Sequence, residues 1–185
     1  EVGLRDGLQL EPFFVRLVKD ESGQKQGLNT RIELGRRLLN SGIRWLETGA
    51  YTGPGLVTMA HPGMVWRFLK VLAQPYVWLS ALAFSTRKDP LGFVNSAIAD
   101  GVKHVSLVLS AHPEHCKSNT GALPLELLER YGLITKDPGV LSSGMVFSAY
   151  ISTCWGHRDA HDVSVDSVYE LVNQLLELGV IEVAL

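Results

Sequence analysis

The side chains of this 185-residue chain that are best suited to chemistry recur just after, or within, short apolar runs. Arg5, Asp6 and Gln9 follow residues 1–3; Glu47 and Thr48 lie within 45–50. Ser110, His112, His115 and Asn119 come at and after the end of 104–111. Cys154, His157, Arg158, Asp159 and His161 follow 145–153. Carboxylate and imidazole together can hold a divalent cation, and a nearby guanidinium can hold an anionic oxygen. Arg5-Asp6 reads either as such a site or as a local ion pair at a turn. A carboxylate inside a strand needs a partner if it is buried, so Glu47 reads as a site residue or as support for one. His112 with His115, and His157 with His161, have spacings that zinc can use. Neither pair is HExxH, and both fall in polar stretches where solvated histidine is common. His61 and His104 read as packing or surface residues. Cys154 has no base placed beside it by any motif and reads as a buried thiol.

The elements that would position these groups alternate along the chain. Strands are expected at 1–3, 45–50, 77–84, 104–111, 145–153 and 181–185. Several are apolar at consecutive positions, as in Val105-Ser106-Leu107-Val108-Leu109, the pattern of strands buried on both faces of a parallel sheet. Between them lie helices with recognisable ends. Asn29 or Thr30 caps one that stops at Gly42, and Asp89-Pro90 starts one that stops at Gly101. Ser164 caps a third, with an apolar stripe of Val168, Leu171, Val172, Leu175 and Leu176, ending at Gly179. The interval 112–144 reads as a polar loop, a short helix over 124–131 and a turn at Asp137-Pro138-Gly139. This spacing suits βα units with right-handed crossovers. Neither GxGxxG nor GxxxxGK[ST] occurs, which argues against a doubly wound nucleotide-binding sheet. A β/α barrel needs no such fingerprint and gathers its chemistry at the C-terminal ends of its strands.

Composition narrows the partners. Hydrophobic residues make up 46% of the chain, and 17 Lys+Arg against 19 Asp+Glu give a net charge of −2. Mean hydropathy is +0.12 and the pI is near 6.3. Such a chain is globular and lacks the basic field that nucleic acid or an anionic membrane requires. No apolar run reaches the roughly 20 residues of a membrane span. Two cysteines without CxxC spacing fit a reducing compartment.

The string Glu1-Val-Gly-Leu-Arg5-Asp6-Gly-Leu-Gln9-Leu-Glu11 resembles the first-strand signature of hydroxymethylglutaryl-CoA lyases, metal-dependent enzymes on a TIM barrel. Further resemblances follow in order: Ser41-Gly-Ile-Arg-Trp-Leu-Glu47-Thr48; Pro54 with Met59-Ala60; Ser110, His115 and Asn119 in a His-x-x-x-Asn pattern; Tyr150-Ile-Ser152 with Gly156; and Leu178-Gly-Val-Ile-Glu-Val-Ala-Leu185. The resemblance implies that Asp6 is a ligand of a divalent cation, Mg2+ or Mn2+. Arg5 would stabilise developing enolate charge, Glu47 would orient that pair, and Gln9 and Asn119 would line the substrate site. The implied reaction is cleavage of 3-hydroxy-3-methylglutaryl-CoA to acetyl-CoA and acetoacetate, as in leucine degradation and ketone-body formation. The implied partners are an acyl-CoA substrate and a second subunit in a homodimer, with no nucleic acid and no membrane. The implied location is the bacterial cytoplasm or the mitochondrial matrix.

Ile151-Ser-Thr-Cys154-Trp-Gly-His157 departs from the lyases' Val-Ser-Cys-x-x-Gly-Cys, with His157 in place of a cysteine. The family's His-x-His pair, its further Asn ligand and its catalytic cysteine belong to strands beyond Leu185. Six expected strands, against eight strands and about 250 residues in a closed barrel, make residues 1–185 one partial TIM-barrel domain. By itself this stretch is expected to be inactive and poorly soluble. The alternatives are a related acyl-CoA lyase or condensing synthase, and a non-catalytic partial barrel that serves as a binding partner.

Overall fold

In a computed structural model of the chain, residues 21–52, 70–157 and 163–185 are described. They form two compact units, one comprising the described residues up to Leu82 with Ala99–Val102, the other Ala83–Ile98 with Lys103–Leu185. Both contain strands and helices, giving the α/β class that the sequence pattern predicts.

The first unit opens with α1 (Glu21–Asn40), followed by β1 (Trp45–Tyr51) and β2 (Trp78–Ala83), which are hydrogen-bonded neighbours. Leu28, Ile32 and Leu39 recur at helical spacing on α1 and pack with Leu46, Leu72 and Leu79 into one core. The helix begins well before the expected cap, so Asn29 and Thr30 sit inside it. There the Thr30 hydroxyl donates back to the Gln26 carbonyl (3.0 Å). Its stop near Gly42, which has φ +100°, is as predicted. In the same unit, the Trp45 indole N–H donates to Ser80 Oγ (3.1 Å), and the Tyr51 hydroxyl donates to Asp100 (2.7 Å).

The second unit runs α2 (Gly92–Ala99), β3 (His104–Ser110), α3 (Pro113–Thr120), α4 (Pro124–Thr135), α5 (Pro138–Ser142), β4 (Val146–Ser152), α6 (Val165–Glu177) and β5 (Glu182–Ala184). Strands β3, β4 and β5 lie side by side in that order and are parallel. Val105, Leu107 and Leu109 are fully buried, as the consecutive apolar run requires, together with Leu127, Ile134, Ile151 and Leu175. Tyr131 joins this core, and its hydroxyl donates to the Val108 carbonyl.

Three local expectations are corrected. The helix expected at Asp89-Pro90 starts at Gly92 instead, because Asp89 closes a bend with Thr86, whose hydroxyl accepts from the Asp89 N–H (3.0 Å). A Cβ at position 92 would lie 2.3 Å from the Asp89 carboxylate, so a larger residue there would push that side chain aside. The stretch after β3 is helical where a polar loop was expected. The turn at Asp137-Pro138-Gly139 opens the single-turn helix α5, with Asp137 Oδ1 accepting from Gly139 N (2.9 Å) and Val140 N (3.0 Å). The expected strand at 1–3 lies outside the described residues.

Candidate functional site

The parallel register of β3 and β4 sets Ser106 beside Ser148 and Ser110 beside Ser152. With a side-chain period of two, these positions share a face with His104, so one face of the strand pair carries a polar row. Hydrogen bonds gather the row into two groups, one towards each end of the strand pair, with the Val108–Tyr150 pair between them. His104 Nε2 lies 3.0 Å from Ser148 Oγ, which lies 3.0 Å from Ser106 Oγ. At the C-terminal end Ser152 Oγ lies 2.7 Å from Ser110 Oγ, which lies 2.8 Å from His115 Nδ1.

His115 is placed by α3, and α3 exists because its first turn is capped. Pro113 pre-sets the helical φ at the start, and the His112 ring nitrogen Nδ1 accepts from the His115 N–H (3.3 Å). The ends of β3 and β4 are tied together just beyond the ladder. Ala111 N donates to Ser152 O (2.8 Å), and His112 N donates to Thr153 Oγ1 (3.1 Å). Thr153 adopts φ +59° and Gly156 φ +106°. For a β-branched residue the left-handed region is strained, and strain of this kind collects at functional turns. The turn buries Cys154 and brings the His157 ring to 4.6 Å from His115 and 5.5 Å from His112, centroid to centroid.

His112 and His115, read from sequence as solvated, are therefore buried and half-buried respectively. Of the two histidine pairs, His112, His115 and His157 come together, while His161 lies outside the described residues. Among the described residues no group of three or more His, Cys, Asp or Glu is arranged to hold a metal ion. Cys154 is an inert thiol: its Sγ donates to the Ile151 carbonyl (2.9 Å), and burial pushes its pKa up. His104 is a packing residue, 2% exposed, with burial lowering its pKa to about 4.

Glu47 sits in β1 and is 1% exposed, next to Thr48, whose hydroxyl donates to the Ser80 carbonyl (2.9 Å). Asn119 is exposed on α3, four residues beyond His115 and so on the same side of the helix. Arg5, Asp6 and Gln9 lie outside the described residues, as do His61, Pro54 and the Met59-Ala60 loop. The serine chain is the feature that sequence reasoning missed. Ser-x-x-x-Ser occurs in both β3 and β4, and laying the two strands in register would have aligned the pairs.

A cavity of about 310 Å³ lies on the helix side of this end, lined by Ala111, Pro113, Leu123 and Leu171 with Glu126 and Glu170. Two carboxylates among its lining residues suit it poorly to a phosphate-bearing ligand.

No protein-family model and no curated protein sequence matches this chain. Solved structures do. Hydroxymethylglutaryl-CoA lyase from Brucella melitensis superposes with a TM-score of 0.80 at 22% identity, and 99% of this chain covers 59% of that one. The enzyme from Pseudomonas aeruginosa gives 0.73 at 25% identity, with 99% and 55% coverage. A structure of the Acinetobacter baumannii lyase, in complex with coenzyme A and 3-methylmalate, gives 0.76 at 20% identity, with 99% and 53% coverage. The chain thus spans little more than half the length of these structures, and over that span its fold is that of the hydroxymethylglutaryl-CoA lyases, an incomplete TIM barrel.

Proposed function

We propose that the chain is the N-terminal-strand portion of a hydroxymethylglutaryl-CoA lyase-like enzyme, a carbon–carbon lyase that cleaves 3-hydroxy-3-methylglutaryl-CoA to acetyl-CoA and acetoacetate. The observation that carries this reading is structural likeness to such lyases over 99% of the chain, joined to the Leu4-Arg5-Asp6-Gly7 string at its start. A neighbour crystallised with coenzyme A supports an acyl-CoA substrate. The proposal extends to a homodimer in the bacterial cytoplasm or mitochondrial matrix. Among the described residues no helix is long and apolar enough to cross a membrane.

In this reading Arg5 stabilises the negative charge that grows on the departing thioester enolate. Fixed positive charge at that place is worth more in the transition state than in the ground state. Glu47, buried in β1, orients Arg5 and Asp6, and Gln9 and Asn119 line the substrate channel. A divalent cation held in part by Asp6 would supply Lewis-acid charge when bound. The described residues do not themselves form its site.

The test is acetoacetate release by the full-length protein with Mg2+ or Mn2+. Turnover is expected to vanish on chelation, to return on adding the metal, and to be abolished in Arg5→Gln with the fold intact. Cleavage of a different acyl-CoA but not this one would sink the substrate assignment. A fully active Arg5→Gln would refute the role of Arg5.

A further inference from the structure

We propose that the cavity between the starts of α3 and α4 and the flank of α6 is a binding site for a small organic ammonium ion, an amine with an apolar body such as a benzyl group. Every residue involved belongs to the second unit, and none has a part in the lyase reading above.

The cavity's volume of about 310 Å³ lies at the small end of the range for ligand pockets, roughly 300–1,000 Å³. Its lining divides by element. Where β3 runs into α3 and where α4 starts, the lining is apolar: Ala111 and Pro113, then Leu123, Pro124 and Leu125. The flank of α6 adds Leu171, which is buried, and a polar edge. That edge is Ser167, Glu170 and Gln174, at i, i+3 and i+7, a spacing that keeps all three on one face of the helix.

The charge of the ligand follows from the donors and acceptors. The ionisable groups that line the cavity among the described residues, Glu126 and Glu170, are both carboxylates, and neither is ion-paired with a described residue. Helix starts ordinarily favour anions, and α3 and α4 both begin here. Here that tendency is blunted. Pro113 and Pro124 have no N–H, Glu126 Oε2 accepts from Leu123 N (2.8 Å), and His112 Nδ1 accepts from His115 N (3.3 Å). Glu170 Oε1 meets only a neutral group, the Gln174 amide nitrogen at 3.5 Å, so no cation offsets its charge. The Ser167 hydroxyl donates to the Ser164 carbonyl (2.7 Å), so toward a ligand its oxygen accepts. An ammonium has three donors and no acceptor, which matches a carboxylate, a hydroxyl oxygen and an amide oxygen on one helix face. Its apolar body then covers the leucines and prolines. A neutral molecule of the same shape gains that burial alone, and an anion is repelled by Glu170.

The probes are benzylammonium chloride, benzyl alcohol and sodium benzoate, three ligands of similar shape and different charge, titrated calorimetrically into the full-length protein. Benzylammonium is expected to bind saturably in the millimolar range, about 3–5-fold tighter than benzyl alcohol, the factor an exposed ion pair supplies, with benzoate weakest. Glu170→Gln should bring benzylammonium to the affinity of benzyl alcohol and leave the alcohol's own affinity unchanged. Ser167→Leu, which fills the cavity, should remove binding of both. Glu170 is exposed, so Glu170→Gln decides the matter if Ser167→Leu folds poorly. Absence of saturable binding, equal affinity for the three probes, an ammonium preference that survives Glu170→Gln, or undiminished binding to a folded Ser167→Leu overturns the site.

Discussion

His104 shows how a residue's chemistry follows from its surroundings. It begins β3, is buried beside Ser148, and burial alone depresses its pKa to about 4, against about 6.5 for a free histidine. An unfolded chain takes up this proton as pH falls through about 6.5, whereas the native chain resists until about 4. Stability is therefore present in full above pH 6.5 and declines as pH falls through that window, by up to about 3 kcal/mol. Urea midpoints between pH 7 and 4 should fall steeply in the wild type and less steeply in His104→Gln, and parallel curves would refute the assignment. The sequence revealed His104 only as a packing or surface residue, because the choice depends on Ser148, more than forty positions away. Glu47 was more legible. A carboxylate in Trp45-Leu46-Glu47 announces either a partner or a site, and it is buried in β1 as that argument requires. Arg5, Asp6 and Gln9 carry the family string but lie outside the described residues, so their part of the site stands on sequence alone.

At the scale of elements, strands were far more legible than helix starts. Expected runs at 45–50, 77–84, 104–111 and 145–153 match β1 to β4 to within a residue or two, because burial on both faces forces continuous apolar runs. Helix ends at Gly42, Gly101 and Gly179 also match, each glycine having positive φ. Helix starts failed in α1, whose apolar stripe begins only at Leu28. They failed again in α3, whose cap is a histidine and whose sole buried side chain is Cys116. Where the cap residue is a usual one the start is correct: Ser164 Oγ accepts from Ser167 N (3.1 Å) and opens α6 as expected. The same physics makes α5 testable. Two N–H groups of this single turn depend on Asp137 Oδ1, and Val140 behind them is buried. Asp137→Ala should cost about 1 kcal/mol, near the middle of the range for lost caps. Asp137→Asn should recover most of it. Equal stability of all three proteins by urea unfolding would show that α5 is held by Val140 packing alone.

For the whole molecule, the decisive quantity is how much of a barrel these residues make. The chain covers 53–59% of the length of its structural neighbours. Among the described residues β5 has a strand partner on one side only, β4, and is three residues long. Beside it α6 buries Val168, Leu171 and Leu175 but leaves Val165, Tyr169 and Leu176 exposed, and Ile181 and Leu185 are more than half exposed. Val165, Tyr169 and Leu176 fall at i, i+4 and i+11, one side of the helix, so the exposure is a stripe and not a scatter. An apolar stripe next to an open strand edge is a template for association. The 185-residue polypeptide studied alone should therefore self-associate as its concentration rises and should bind the dye ANS. Replacing Tyr169 and Leu176 by Glu should suppress both effects and leave the melting temperature within a few degrees, since neither side chain is part of the buried core. A monodisperse monomer that melts cooperatively and binds no dye would show that the stripe and the strand edge are already covered within these 185 residues.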